Sequence, residues 1–142
     1  MGYTHYFKQI NHCPPEIWDR ICASFQEMRA TALILNDPLP IQREADDCSE
    51  PYVARDAIIF NGIGDNGHET MALDRLRTEA FSFCKTAHKP YDRVVVALLC
   101  LADFHAPGVW LISSDGDEED WADGLALART VEPNCPMVTL NR

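Results

Sequence analysis

Apolar positions along the chain recur at spacings that predict most of its elements. From residue 15 to 35, Ile17, Trp18, Ile21, Cys22, Phe25, Met28, Ala32 and Leu35 return every three or four residues, the stripe of an amphipathic helix. Pro14 and Pro15 introduce that helix, since proline's fixed φ suits a first turn, and Asn36, Asp37, Pro38 and Pro40 end it. Residues 3–9 alternate weakly between aromatic and polar side chains and predict a short first strand. A second apolar run, Ala57 to Phe60, precedes the turn-rich stretch NGIGDNG. HETMAL then predicts a strand pairing back across that turn, although a helix running on through Leu76 is the competing reading. AFSFCKTA reads as a strand through Phe81 and Phe83. YDRVVVALLCLADFH is almost continuously apolar, and its length of about fourteen residues after Pro90 decides for a buried helix over a strand. VWLIS predicts another strand. SSDGDEEDW leads into a last helix with Trp121, Leu125, Ala128 and Val131 on one side and Asp117 as its N-cap.

The order strand, helix, three strands, helix, strand, helix predicts an α+β fold. It is expected as two layers, with three helices packed on one face of a small mixed or antiparallel sheet. Residues 37–56 are polar, acidic and punctuated by proline, and predict a long surface connection. The tail after Pro133 is expected to be loosely held. A length of 142 residues fits a single domain spanning 1–142.

Charge narrows the partners. The formal net charge is −10, from 22 acidic against 12 basic residues, which argues against direct nucleic-acid binding because phosphates require a basic face. It suits a cytoplasmic protein or one whose acidic face meets a basic partner. The opening MGYTHYFKQI lacks the charged and apolar regions of a signal peptide. The longest apolar run, Val94 to Ala102, is too short to cross a bilayer, so no membrane association is expected. Six cysteines are scattered without a CxxC pair; they are expected as reduced thiols, mostly buried, with no metal or other cofactor implied.

Several motifs fail on inspection. GIGDNG, from Gly62 to Gly67, spells a dinucleotide fingerprint, but Glu79 lies too close to serve as the ribose-binding acid, and a hairpin turn accounts for the glycines. Counting a calcium loop from Asp115 puts Asp120 where glycine is needed and Ala126 where glutamate is needed. His68-Glu69 lacks a second histidine four residues on, and neither a nucleophile elbow nor a P-loop is present. The stretch FCKTAHKPYD remains. It holds two of the chain's three lysines, Lys85 and Lys89, at the start of the predicted Pro90 helix. One reading is a structural corner in which the lysines balance nearby carboxylates. In the other, Lys85, Thr86 and Lys89 surround a helix N-terminus that attracts an anion.

GYTHYF at the start, FNG…GDN and HE in the middle, FCKTA followed by KPYD and VVVA, and SSDG with a later DW together resemble a family of small bacteriophage and prophage proteins that open with GYTHYW or GYTHYF. The likeness covers most of the chain except residues 37–56, and Phe7 stands where tryptophan is usual. The resemblance implies a bacterial cytosol and draws attention to recurring polar residues, among them Tyr3, His5, Asn61, His68, Glu69, Lys85, Thr86, Lys89, Asp92, Ser114, Asp115 and Trp121. No activity comes with it.

Two functions therefore stand. In the first, the chain is a phage-encoded accessory protein that binds and inhibits a host protein, a counter-defence factor of anti-CRISPR type. In the second, it is a small enzyme or binding domain for an anionic nucleotide or sugar phosphate. Asn61, Lys85, Thr86, Lys89 and Asp92 would then bind the ligand; His5 or His68 would act as acid–base, oriented by Glu69 or Asp115. His5, Asn61, Lys85 and Ser114 fall near predicted strand ends and are expected to share one edge of the sheet. A buried hydrogen-bond network that specifies the fold would use the same polar residues.

Overall fold

The computed structural model describes residues 2–77 and 82–140. Strand β1 (Thr4–Gln9) leads into helix α1 (Pro15–Ile34), then two short strands β2 (Ile41–Gln42) and β3 (Tyr52–Val53), then β4 (Ala57–Gly62). After a 3₁₀ turn at Gly64–Asn66 come β5 (Met71–Asp74), β6 (Phe83–Lys85), α2 (Asp92–His105), β7 (Trp110–Ser114) and α3 (Ala122–Ala128). The fold is α+β, with three helices among the described residues. The expected single sheet is instead two, both antiparallel: one of three strands in the order β6-β1-β7, and one of four in which β2, β3 and β5 all pair with β4.

Most of the expected elements are present. HETMAL does turn back as a strand, with Phe60 opposite Met71 and Ala57 opposite Asp74. The connection at 37–56 carries two strands of its own, because Ile41 and Val53 have core to cover beside β4. Trp18 of α1 pins its far end by donating its indole N–H to the Ala54 carbonyl at 2.8 Å. Helix α2 starts at Asp92, two residues past Pro90. Phe81 lies outside the described residues.

Two expectations about burial are corrected. Leu35 was expected on the core stripe, yet it is 66% exposed, since α1 stops at Ile34 and Leu35 occupies its C-cap. The tail after Pro133 is held, not loose: Cys135 and Val138 are buried, and the Arg129 guanidinium donates to the Cys135 carbonyl at 2.8 Å. Cys135 in turn points its thiol at the Cys100 carbonyl of α2. All six cysteines are free, and four are buried. Burial pushes the Cys84 thiol up to about 12 and those of Cys22 and Cys135 up to about 11.

One core joins both sheets and all three helices. Phe25 of α1 stacks on Phe60 of β4 at 5.5 Å, while Phe7, Trp110 and Ile112 bring in the three-stranded sheet. Arg75 ties the sheets at one end, its carbonyl accepting from Gln9 at 2.6 Å and its guanidinium donating to the Cys13 carbonyl at 3.0 Å. Among the described residues, no helix is long and apolar enough to cross a membrane.

Close approach of α2 and α3 depends on Gly124. A Cβ there would lie 2.5 Å from Val96 Cβ and 2.9 Å from the Arg93 carbonyl oxygen, contacts that only movement of the backbone relieves. Gly124→Ala is therefore expected to destabilise by about 1–3 kcal/mol through overpacking, despite alanine's better helix propensity. Urea denaturation, with the slope m unchanged, is the measurement.

The other end of α2 carries a polar tie. Ser24 of α1 donates to Glu132 Oε1 at 3.0 Å and lies 2.8 Å from His105 Nε2, which therefore donates to it. Burial lowers the His105 pKa below 6.5, with Glu132 opposing and Arg20 adding to the shift. Above pH 6.5 the ring is neutral in both the folded and unfolded chain; as the pH falls below that, the unfolded chain takes up the proton first. Stability is thus expected to drop from pH 6.5 down through the lowered value. His105→Gln should flatten that part of a stability-versus-pH curve.

Candidate functional site

The polar residues singled out in the sequence divide between two places. At one end of the three-stranded sheet, β1 begins where β6 and β7 end, with Thr4 opposite Lys85 and His5 opposite both Cys84 and Ser114. The corner from Thr86 to Tyr91 then delivers Asp92 at the first turn of α2 to the same spot. That corner is tight: Ala87 and His88 both have positive φ, 53° and 59°, a left-handed conformation that costs about 1–3 kcal/mol for such residues. It is held by the Tyr3 carbonyl, which accepts from both Thr86 and Ala87 N–H, and by the His88 ring stacked on Tyr3 at 3.6 Å.

Around His5 the hydrogen bonds fix every proton. Ser114 Oγ accepts from Trp121 Nε1–H at 3.1 Å and from the Gly116 N–H at 2.9 Å, filling both lone pairs. Its own hydrogen must therefore go to His5 Nδ1, 2.8 Å away. His5 is then neutral with its proton on Nε2, donated to Asp92 Oδ1 at 2.7 Å. Thr86 Oγ1–H donates to the same oxygen at 2.5 Å. His5 and Thr86 are both fully buried, and the Trp121 and His5 rings stand perpendicular with their centres 5.3 Å apart.

The proton order Asp–His–Ser matches that of a hydrolase triad, but two features set it apart. The serine oxygen has no lone pair left for attack, and the imidazole is sealed from solvent. The arrangement therefore serves to lock β1, the 86–92 corner, β7 and α3 together. Tyr3 packs against this cluster, its ring 5.0 Å from that of His5. Its hydroxyl is so close to Gly116 that a Cβ there would overlap it. Ser114 lies beside that hydroxyl, but its hydrogen and lone pairs are already committed. The hydroxyl thus has no hydrogen bond of its own among the described residues. Burial, and then the charges of Asp92 and Asp120, push the Tyr3 phenol up to about 12.

The remaining candidates do not join this cluster as catalytic groups. Asn61 belongs to the other sheet, where its side chain clamps the glycine turn: Oδ1 accepts from Gly62 and His68 N–H, and Nδ2 donates to the His68 carbonyl. His68 is exposed on that turn. Glu69 bridges the sheets through Oε1, which accepts the Lys85 N–H at 2.7 Å, and through its carbonyl, which accepts the Tyr91 hydroxyl at 2.5 Å. Asp115 is exposed and caps the Thr4 N–H at 3.1 Å. The Lys85 side chain folds over Gly2. Lys89 lines a cavity of about 200 Å³ with Arg93, but Asp92, Asp120 and Asp123 line it too. The start of α2 is thus occupied by carboxylates, not open to an anion. Among the described residues, no group of three His, Cys, Asp or Glu side chains is placed to hold a metal ion.

Asp117, expected as the N-cap of the last helix, is not: α3 begins at Ala122 with Trp121 in the N-cap position and no side-chain cap, and Asp117 instead closes the turn before it. Its Oδ1 accepts the Asp120 N–H, and Asp120 Oδ2 accepts the Asp117 N–H, closing the turn that enters α3. Sequence reasoning missed a different feature, the surface at the end of α1. Leu33, Ile34 and Leu35 are 67%, 83% and 66% exposed and stand between two concave regions. The signal was present: three successive aliphatics before Asn36-Asp37-Pro38 cannot all face inward on one helical stripe.

Removing the Ser114 hydroxyl takes an acceptor from Trp121 Nε1–H and from the Gly116 N–H, and a donor from His5 Nδ1. Ser114→Ala is expected to cost about 2–4 kcal/mol, more than a typical single hydrogen bond, measured by chemical denaturation. Equal stability of the variant would show that the network is not the lock.

Comparison with protein-family models, curated proteins and solved structures finds no match for this chain.

Proposed function

We propose that the chain is a phage-encoded accessory protein acting in the bacterial cytoplasm, where it binds and inhibits a host protein as a counter-defence factor. It docks through the C-terminal end of α1. The observation that carries this reading is the exposed run Leu33-Ile34-Leu35. Single apolar side chains on a surface are ordinary, but three in succession make a contiguous patch of the kind that marks an interface. Burying an aliphatic side chain is worth about 1.5–3 kcal/mol, so such a ridge can supply the central anchor of an interface. The polar residues near His5 support binding over catalysis as well, because their hydrogen-bonding capacity is spent inside the fold.

Charge shapes the partner. The exposed carboxylates of Asp117, Glu118, Glu119 and Asp120 lie before α3, and the net charge of −10 favours encounter with a basic surface. A host protein whose basic face normally meets nucleic-acid phosphates fits that requirement. The resemblance of GYTHYF, FCKTA and SSDG to phage proteins supports the setting.

Immobilised protein is expected to retain a specific partner from bacterial lysate at low salt and to release it at high salt. Ile34→Glu should weaken that capture by tenfold or more, about 1.4 kcal/mol, while leaving the melting temperature unchanged, since Ile34 is 83% exposed. Equal capture by the variant, or no capture at low salt, overturns the reading.

A further inference from the structure

Helices α1 and α3 both pack on α2, and between them runs a furrow of about 620 Å³. Its walls are helical. From α3 and the turn after it come Asp123, Ala126, Leu127 and Thr130, at i, i+3, i+4 and i+7, which is a single stripe of helix surface. From α1 come Thr31, Ala32 and Leu35, at i, i+1 and i+4. Ala32 and Leu127 are nearly buried and form the floor, while Leu35 stands out as one rim. Small side chains at 32 and 126 allow close approach by another backbone. Asp37, Arg93 and Asp123 supply the charge of the furrow. Arg93 is already paired with Asp37 at 3.3 Å, so Asp123 is the carboxylate in surplus, and Asp120 lies beyond it around the adjoining cavity.

We propose that this furrow is the specificity site of the docking surface and receives an amphipathic helix of the partner. That helix presents a leucine-like stripe flanked by arginine or lysine, and Asp123 receives the cation. The inference rests on the reading of the α1 end as a docking surface and names what docks there. Helical walls on both sides offer ridges between which the ridge of a third helix seats, as in other helix-in-groove complexes. An apolar floor with one unpaired carboxylate at the rim selects apolar residues next to a positive charge, and it rejects an acidic helix by like-charge repulsion.

The test uses two defined probes and the whole chain. One is an amidated helical peptide of leucine, alanine and arginine; the other is the same peptide with glutamate in place of arginine. Isotope-labelled protein titrated with the arginine peptide should show amide shifts concentrated at residues 31–37 and 123–130, with the glutamate peptide binding at least about tenfold more weakly. Asp123→Lys should weaken the arginine peptide by a similar factor. Asp123→Asn, which keeps the size of the side chain, should weaken it less but measurably, and Leu35→Ser should reduce binding of either peptide. The proposal is overturned if the two peptides bind alike, if neither binds, or if the shifts fall on residues 115–120 without the furrow, which would indicate bulk charge attraction. Capture of a host protein that persists in Asp123→Lys but fails in Ile34→Glu overturns the furrow while sparing the docking surface. Peptide binding with no host capture does the reverse.

Discussion

Nine successive residues of α2, from Val94 to Ala102, are buried. A helix that is apolar all the way round has no face to give to water, so other elements must cover it on every side. The rest of the architecture follows from that demand. Helix α1 covers part of it, α3 covers another part at a distance only glycine permits, and the strands of both sheets contribute to the same core. The segment after Pro133 is drawn in as well, since Cys135 fills a place against Cys100. Because α1 and α3 are each committed to α2, the furrow between them is a by-product of covering the central helix.

The polar groups are arranged by the same helix. Its first turn begins among three strand ends, where Asp92 has a partly buried charge to satisfy. The chain from Thr86 through Asp92 and His5 to Ser114 does so with each donor matched to one acceptor. Such a network gives little net stability per bond but makes alternative packings expensive, because each leaves a buried group unpaired. It also shows how a triad-like order of residues can be inert. What matters for catalysis is a free lone pair on the nucleophile and a path for substrate, and Trp121 and Gly116 remove the first.

Much of this was legible in the sequence, and the limits have physical causes. The helices and the β4–β5 hairpin were readable because long apolar periodicities and glycine turns are local signals. Of His5, Asn61, Lys85 and Ser114, expected to share one edge, the strand-end placement brought His5, Lys85 and Ser114 to one end of the three-stranded sheet but not Asn61. What local pattern does not encode is pairing between distant segments. Nothing in FCKTAHKPYD reveals that Asp92 meets a histidine 87 positions earlier, or that the Trp121 indole spends its N–H on Ser114. The division into two sheets, and Asn61's place in the second, are likewise long-range outcomes. Leu35 fits the helical period but falls where α1 has already ended, so periodicity assigned it to a core it does not reach.

The lysines that stand out in the sequence and the leucines that do not have exchanged importance. Lys89 shares a cavity with Asp92, Asp120 and Asp123, the Lys85 side chain folds over Gly2, and their neighbours are consumed in holding a strained corner. Both side chains thus have a place in the packing of that corner. Leu33, Ile34 and Leu35 have no such place. They add little to the core, their exposure works against solubility, and any polar residue of good helix propensity would end α1 as well. Folding does not require three aliphatic side chains there, whereas the association proposed above would use them. On the docking surface proposed above, an apolar ridge beside Asp37 and Asp123 would favour partners that bring both an apolar surface and positive charge.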